Sequence, residues 1–132
     1  MKCRTFGQPS LTLLFALMLC VSAGAVAATP PAPSAVSPTD GASVSEPFTI
    51  SWTAVSDPTG IIAYNWQVSS SSAFTSVLLQ NSTNGATEAS VSGLANGTYL
   101  WRVQAVNGAF EQGAWSQPVS YTHLTLPTIL RV

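Results

Sequence analysis

The stretch Leu94–Ala105, which reads LANGTYLWRVQA, decides the fold of this chain. Apolar side chains recur at every second position of its latter part: Tyr99, Trp101, Val103 and Ala105. A period of two is typical of a half-buried β-strand, because successive side chains of a strand point to opposite faces. The pair Asn96-Gly97 in front of these residues is a turn signal. The stretch therefore predicts a turn that leads into a strand with one buried face.

Shorter runs of the same kind lie on the N-terminal side of this strand. Four of them are Phe48–Trp52, Tyr64–Val68, Val77–Leu79 and Ala89–Val91. Turn-forming pairs separate the runs, among them Asp40-Gly41, Asp57-Pro58, Asn84-Gly85 and Asn107-Gly108. Short strands between turns over about 100 residues are typical of an immunoglobulin-like sandwich. We therefore predict an all-β chain with seven antiparallel strands, and we place Trp52, Trp66 and Trp101 in its core.

The motifs of these strands resemble a known family. The run Phe48-x-Ile50-x-Trp52 resembles the B strand of fibronectin type III domains from bacterial extracellular proteins. The run Ile61-x-x-Tyr64-x-Trp66-x-Val68 resembles the C strand of these domains, and the stretch Leu94–Ala105 resembles their E–F corner and F strand. The resemblance implies a domain over residues 33–122. It also implies that the Tyr99 hydroxyl bonds to the backbone a few residues upstream. The spacing from Leu94 to Tyr99 is one residue shorter than in animal members. The loop Asn107–Gly113 lies where some animal members carry an Arg-Gly-Asp motif, and this sequence has none there.

The first 28 residues are typical of a secretory signal peptide. Lys2 and Arg4 precede the apolar run Leu11–Val21, and small residues with Ala-x-Ala spacing follow it. We predict a signal helix over residues 1–28 that is cleaved near Ala27 or Ala28. A membrane anchor is the alternative, but the run is shorter than the roughly 20 residues that cross a bilayer. A lipid-modified Cys20 is a second alternative, although Leu19 stands where that motif has a small residue.

Cleavage would change the composition of the remaining chain. Both cysteines, Cys3 and Cys20, lie in the signal segment, so we expect no disulfide and no thiol chemistry. Arg102 and Arg131 would then stand against five carboxylates, which is a net charge of −3. Such a surface argues against partners such as nucleic acid or a membrane. Residues 29–38 (TPPAPSAVSP) are rich in Pro and Ala, a composition that favours an extended linker whose end can form an edge strand.

The C-terminal run Val119–Thr128, VSYTHLTLPT, resembles the translation of a transposon-type sequencing adapter. We therefore expect that the natural protein continues beyond Pro118 and that residues 123–132 are a non-native tail that packs poorly. Residues 119–122 can still pair as the last strand of the sandwich, whatever their origin.

The sequence offers few groups for catalysis. Its single histidine, His123, lies in the suspected tail, so a Ser-His-Asp system lacks its base and a zinc site lacks its ligands. The carboxylates are scattered, one to each loop or strand edge: Asp40, Glu46, Asp57, Glu88 and Glu111. We interpret them as solvated surface charges, with calcium binding at Asp40 or Asp57 as a minor alternative. We predict no catalytic, cofactor-binding or metal-binding residues.

Two aromatic residues outside the core-facing positions, Phe110 and Trp115, are open to two interpretations. Structural packing is the preferred one, and contact with a ligand such as a sugar ring is the alternative. The motifs Asn81-Ser82-Thr83 and Asn96-Gly97-Thr98 match the acceptor pattern for N-glycosylation, and we expect both to be silent.

Two functional hypotheses follow from these observations. The preferred one is a non-catalytic, monomeric, secreted or cell-surface module that acts as a spacer, adhesion or interaction unit of a larger protein. The alternative is an accessory domain of an extracellular hydrolase that contacts carbohydrate. The partner would accordingly be an unidentified protein or polysaccharide, and fold alone does not choose between them.

Overall fold

A computed structural model describes residues 28–124 of the chain. They form eight strands: β1 Ala35–Ser37, β2 Ala42–Val44, β3 Phe48–Trp52, β4 Ile61–Ser69, β5 Val77–Thr83, β6 Glu88–Val91, β7 Gly97–Asn107 and β8 Val119–His123. Each predicted run coincides with one of these strands or with part of one. Within residues 28–124, no helix is long and apolar enough to cross a membrane.

The strands form two sheets. One has the order β1-β3-β6, and the other has the order β2-β8-β7-β4-β5. The predicted immunoglobulin-like sandwich is confirmed, but its count of seven antiparallel strands needs correction. The first strand of the predicted fold is divided into β1, which pairs with β3, and β2, which runs parallel to β8. The division occurs around Pro38, which has no backbone N–H to donate to a ladder, and Gly41, whose φ of 83° suits a turn.

The core lies between the two sheets and is rich in aromatic side chains. Trp101 is fully buried, and its ring centroid lies 6.3 Å from that of Trp52. Trp52 also packs on Tyr64, at 5.7 Å between centroids. Trp66 is 6% exposed, so all three tryptophans that the alternation placed inside are buried. The inward phase predicted for β3, β4 and β7 is therefore confirmed.

The corner before β7 forms as the family resemblance implied. The Tyr99 hydroxyl donates a hydrogen bond of 2.7 Å to the carbonyl oxygen of Ala95. A Cβ atom at Gly97 would lie 3.5 Å from the same hydroxyl, so the tyrosine ring closes over the turn. The shorter spacing from Leu94 to Tyr99 thus does not prevent the corner bond.

The Pro/Ala-rich segment 29–38 packs against the domain, where we had expected an extended linker. Pro30 is fully buried, and a Cβ atom at Gly113 would come within 2.2 Å of its carbonyl oxygen. Ser34 donates its backbone N–H to the Thr53 hydroxyl over 3.0 Å, and the segment ends in β1. The expected edge strand is therefore present. The signal segment, including both cysteines, lies outside the described residues except for Ala28.

The prediction that the tail packs poorly from His123 onward is wrong at its first residue. His123 is the last residue of β8 and is fully buried. It lies two positions after the buried Tyr121, so strand alternation carries it to the same inner face. Leu124 is 45% exposed, and its backbone N–H donates to the Val44 carbonyl oxygen over 2.8 Å. Residues 125–132 lie outside the described residues.

Candidate functional site

Three of the five carboxylates accept backbone N–H groups, and two of these, Asp40 and Glu46, join parts of the fold that are distant in sequence. Asp40 Oδ1 accepts the N–H of Ser120 over 2.9 Å, which ties the turn before β2 to β8. Glu46 Oε1 accepts the N–H of Gly93 over 2.7 Å, which ties the turn before β3 to the segment after β6. These groups hold the fold together in addition to being surface charges. Among residues 28–124, no group of three or more His, Cys, Asp and Glu side chains could hold a metal ion.

Asp57 organises the turn between β3 and β4. Its Oδ1 accepts the backbone N–H of Thr59 over 2.9 Å and the hydroxyl of Thr59 over 2.7 Å. The backbone bond, followed by the hydroxyl bond, lowers the pKa of this carboxyl below its ordinary value. Its Oδ2 lies 3.4 Å from Nδ2 of Asn107, at the end of β7. These contacts give Asp57 a structural role.

His123 occupies an apolar and aromatic environment. Its ring centroid lies 6.0 Å from that of Phe48 and 6.5 Å from that of Tyr99. Its Nε2 lies 3.3 Å from Glu46 Oε1, but the approach lacks hydrogen-bond geometry, and neither ring nitrogen has a hydrogen-bond partner. A histidine sealed at this position has no access to a substrate.

A polar cleft lies on the outer face of the five-stranded sheet, and we call it the amide cleft. Its volume is about 450 Å³. It is lined by the side chains or backbone of Asn65, Trp66, Gln67, Gln80, Asn81, Ser82, Gln104, Gln112 and Trp115. Six of these residues come from β4 and β5, and Gln104 comes from β7. The other two, Gln112 and Trp115, belong to the segment between β7 and β8.

Strand register aligns the polar side chains of the cleft in two rows. Asn65 stands between Ser82 and Gln104 in one row. Gln67 stands between Gln80 and Arg102 in the other. Because β4 buries the alternate residues, all of these side chains project to the outer face. The floor of the cleft is therefore composed mainly of carboxamides.

Hydrogen bonds fix this floor. Asn65 Nδ2 donates to Gln104 Oε1 over 3.2 Å, and Gln104 Nε2 donates to the Gly113 carbonyl oxygen over 2.8 Å. Gln67 Nε2 donates to Gln80 Oε1 over 3.0 Å. Gln104 is only 5% exposed, so its amide has one defined orientation.

Arg102 lies next to the cleft residue Gln67 in the sheet and contacts two aromatic rings. Its guanidinium carbon lies 4.1 Å from the ring centroid of Phe74 and 4.2 Å from that of Trp115. Its Nε and one terminal nitrogen both donate to Gln67 Oε1, over 3.0 and 2.7 Å. Partial burial lowers the pKa of Arg102. The stacked cation holds the half-buried Trp115 at the cleft wall.

Phe110 and Trp115 have different environments. Phe110 is 79% exposed at the tip of the loop after β7 and has a φ of 65°, in the left-handed region. Asn107 Oδ1 supports this loop by accepting the N–H groups of Ala109 and Glu111. Trp115 packs on Arg102, as the preferred interpretation expected. It also lines the cleft, and its contact with a ligand stays a prediction. Phe110 does not show the packing that the preferred interpretation expected.

Sequence reasoning missed the amide cleft. The available signal was the kind of polar residue that alternates with the buried positions: Asn65 and Gln67 on β4, and Gln104 on β7. Asn81, in the first acceptor motif, lines the cleft, and its Oδ1 accepts the N–H of Ser82 over 2.8 Å. Asn96, in the second motif, lies in the turn before β7.

Comparisons with known proteins agree with this architecture. The domain 6 structure of human fibronectin type III domain containing protein 3 aligns with a TM-score of 0.54 at 17% identity, covering 84% of this chain and 99% of that one. The fibronectin(III)-like modules of Clostridium thermocellum CbhA align with a TM-score of 0.52 at 17% identity, covering 74% and 99%. No curated protein sequence matches this chain. The family model described as the fibronectin type III domain matches residues 31–122. The chain therefore belongs to the fibronectin type III family.

Proposed function

We propose that this chain is a non-catalytic extracellular module that serves as a spacer, adhesion or interaction unit of a larger secreted or surface protein. The observation that carries the proposal is the placement of the acidic side chains. Three of them, Asp40, Glu46 and Asp57, each lie in a different turn and accept a backbone N–H group. The amide cleft is lined by carboxamides, a hydroxyl and a tryptophan ring, and no acid or histidine is among its lining residues.

General acid and base catalysis needs an ionisable group within reach of the reacting atoms. Glycoside hydrolysis in most families needs two carboxyl groups across one cleft. The described residues place carboxamides at the cleft instead, and these groups bind without exchanging protons near neutral pH. The family supports the same function, because fibronectin type III domains are generally non-catalytic modules.

The extracellular part of the proposal rests on the signal peptide predicted from the sequence, and it can be tested directly. The full chain is expressed in a Gram-negative host, and the periplasmic product is sequenced from its N-terminus. We expect a product that begins near residue 28. A membrane-bound product that begins at Met1 would contradict export.

The non-catalytic part is tested on the same exported protein. It is incubated with chromogenic glycosides, esters, phosphomonoesters and peptides. We expect no turnover above that of the buffer. Turnover that disappears in Asp57→Asn or Glu111→Gln, both of which retain the size of the side chain, would overturn the proposal.

The alternative, an accessory domain that contacts carbohydrate, is favoured by one specific observation. Trp115 stands at the wall of a cleft whose floor is made of amides. This arrangement is compatible with a non-catalytic module, and it identifies the surface at which such a module would bind.

A further inference from the structure

We infer that the amide cleft is a binding site for an uncharged polysaccharide, with Trp115 as its aromatic wall and the amides of β4, β5 and β7 as its floor. The inference rests on the proposed function, because it names the ligand class of a module proposed to be non-catalytic. It is carried by the chemistry of the lining residues and by the charge of the surrounding surface.

The floor of the cleft suits a ligand that carries many hydroxyl groups. A carboxamide has two N–H donors and a carbonyl oxygen that accepts, and a hydroxyl also donates and accepts. Of two adjacent hydroxyls of a sugar, one can therefore accept from the N–H of an amide while the other donates to its carbonyl oxygen. Asn65 bonds to Gln104, Gln104 bonds to the Gly113 carbonyl oxygen, and Gln67 accepts from Arg102. These bonds use part of this capacity and hold the side chains in fixed orientations. An ordered floor reduces the entropy lost on binding.

The wall of the cleft supplies the apolar contact that such a ligand needs. The C–H faces of a sugar ring are apolar and pack on aromatic rings, which combine a large apolar surface with few rotatable bonds. Trp115 is held by the guanidinium of Arg102 at 4.2 Å, and Arg102 is itself supported by Phe74 at 4.1 Å. Phe74 has a φ of 56°, in the left-handed region that few residues other than glycine adopt. The volume of about 450 Å³ lies within the range of ligand sites.

Charge selects an uncharged ligand over an acidic one. Arg102 is the one Lys or Arg side chain in residues 28–124, against five carboxylates in the same range. Its guanidinium stacks between two rings and donates to Gln67, so its charge is already engaged. An acidic polysaccharide would approach a negatively charged surface and find no other cation in this range to bind.

The experiment is isothermal titration calorimetry with the purified full chain. The probes are three uncharged soluble polysaccharides, namely mixed-linkage β-glucan, xylan and galactomannan, with polygalacturonate as the acidic comparison. We expect saturable heat with at least one uncharged probe and none with polygalacturonate. We expect Trp115→Ala to weaken that binding at least tenfold and Gln112→Ala to weaken it severalfold.

Phe110→Ala is the matched control, because it removes an exposed aromatic ring outside the cleft lining and should leave the affinity unchanged. Urea midpoints show whether each variant is folded. If Trp115→Ala fails to fold, then Gln112→Ala, which changes an exposed side chain, decides the question. No heat with any uncharged probe, heat with polygalacturonate alone, or unchanged affinity in the folded cleft variants would overturn the inference.

The same titrations separate this inference from the proposed function. New reducing ends in the titrated polysaccharide would contradict a non-catalytic module, whether or not the cleft variants lose affinity. An absence of both heat and reducing ends would overturn the inference about the ligand and leave the proposed function standing.

Discussion

Strands β7 and β8 are neighbours in one sheet, yet they satisfy their buried polar groups to different degrees. In β7, the Tyr99 hydroxyl, the Gln104 amide and the Asn107 amide have hydrogen-bond partners, whereas the buried indole nitrogen of Trp101 has none. In β8, the buried Tyr121 hydroxyl and both nitrogens of His123 have none. Five buried side-chain polar atoms lack partners among residues 28–124, and three of them belong to the five residues of β8. The other two are the indole nitrogens of Trp52 and Trp101.

The difference separates two requirements for a buried strand, namely the alternation that points its side chains into the core and the hydrogen-bond partners for its buried polar groups. Alternation alone places Tyr121 and His123 inside, because strand pairing fixes which residues face the core. A matched set of hydrogen-bond partners is a stricter requirement. Each unpaired buried polar group costs about 1–3 kcal/mol. The foreign origin of Val119–Thr128 stays a prediction, because buried groups without partners also occur at Trp52 in β3 and Trp101 in β7.

The largest expected effect tests β7 itself. Trp101→Ala removes a fully buried ring that packs on Trp52 and should destabilise the domain by about 3–5 kcal/mol. Urea denaturation followed by far-UV circular dichroism measures the change. Phe110→Ala removes an aromatic ring that is 79% exposed and should shift stability by no more than about 0.5 kcal/mol. Equal midpoints for Trp101→Ala and the parent would show that β7 does not carry the core.

A pair of tyrosine substitutions compares the two strands directly. Tyr99→Phe removes the bond to the Ala95 carbonyl and should destabilise by about 1 kcal/mol. Tyr121→Phe removes a hydroxyl that is buried without a partner, so it should be neutral or stabilise by about 1 kcal/mol. The two rings lie 5.9 Å apart between centroids and share one environment. Changes of opposite sign in the urea midpoints of the two variants would support the contrast between the strands. Equal decreases in both midpoints would contradict it.

Spectroscopic titration of the parent and of Tyr121→Phe adds a second measurement. Burial, and to a lesser extent the proximity of Tyr99, raises the pKa of the Tyr121 phenol well above its ordinary value. The folded protein should therefore lack the absorbance change of Tyr121 near pH 10, where an exposed tyrosine ionises. The titration of Tyr121→Phe should match that of the parent in this range. An amplitude smaller by one tyrosine in the variant would show that Tyr121 is accessible.

Much of the fold could be predicted because alternation is a local property of the chain. The phase of Phe48–Trp52 and of Tyr99–Ala105 placed the core residues correctly, and the corner bond followed from the family resemblance. The division of the first strand around Pro38 was missed, because the parallel pairing of β2 with β8 joins segments about 80 residues apart. The burial of His123 was missed for a different reason. The prediction of poor packing rested on the suspected origin of the tail, which does not determine how a residue packs.

The candidate site was less predictable than the fold. Trp115 was identified, with ligand contact as the alternative, but its stacking on Arg102 is a tertiary contact that strand patterns do not predict. The two rows of amides depend on the register of three strands, which single-strand patterns do not fix. The same alternation also shows which polar residues lie on the outer face of the sheet. Such residues usually indicate only that the face is exposed to solvent, so they did not indicate a cleft.

The smallest expected effect concerns the anchor at the far end of β7. Asp57 bonds to Thr59, and its second oxygen lies near Asn107, so this carboxylate connects the β3–β4 turn to the end of the strand. Its pKa is lowered in the folded state, chiefly by the backbone N–H of Thr59. The stabilisation by this carboxylate is therefore complete above the ordinary pKa of 3.8 and is lost as the pH falls through the lower pKa of the folded state.

Asp57→Asn should lower the urea midpoint at pH 7. The difference in urea midpoint between this variant and the parent should narrow as the pH falls below about 4. Thr59→Val, which removes the hydroxyl but keeps the backbone N–H, should retain most of the pH dependence of the parent. A gap between Asp57→Asn and the parent that stayed constant from pH 7 to pH 2 would show that the turn does not depend on this charge.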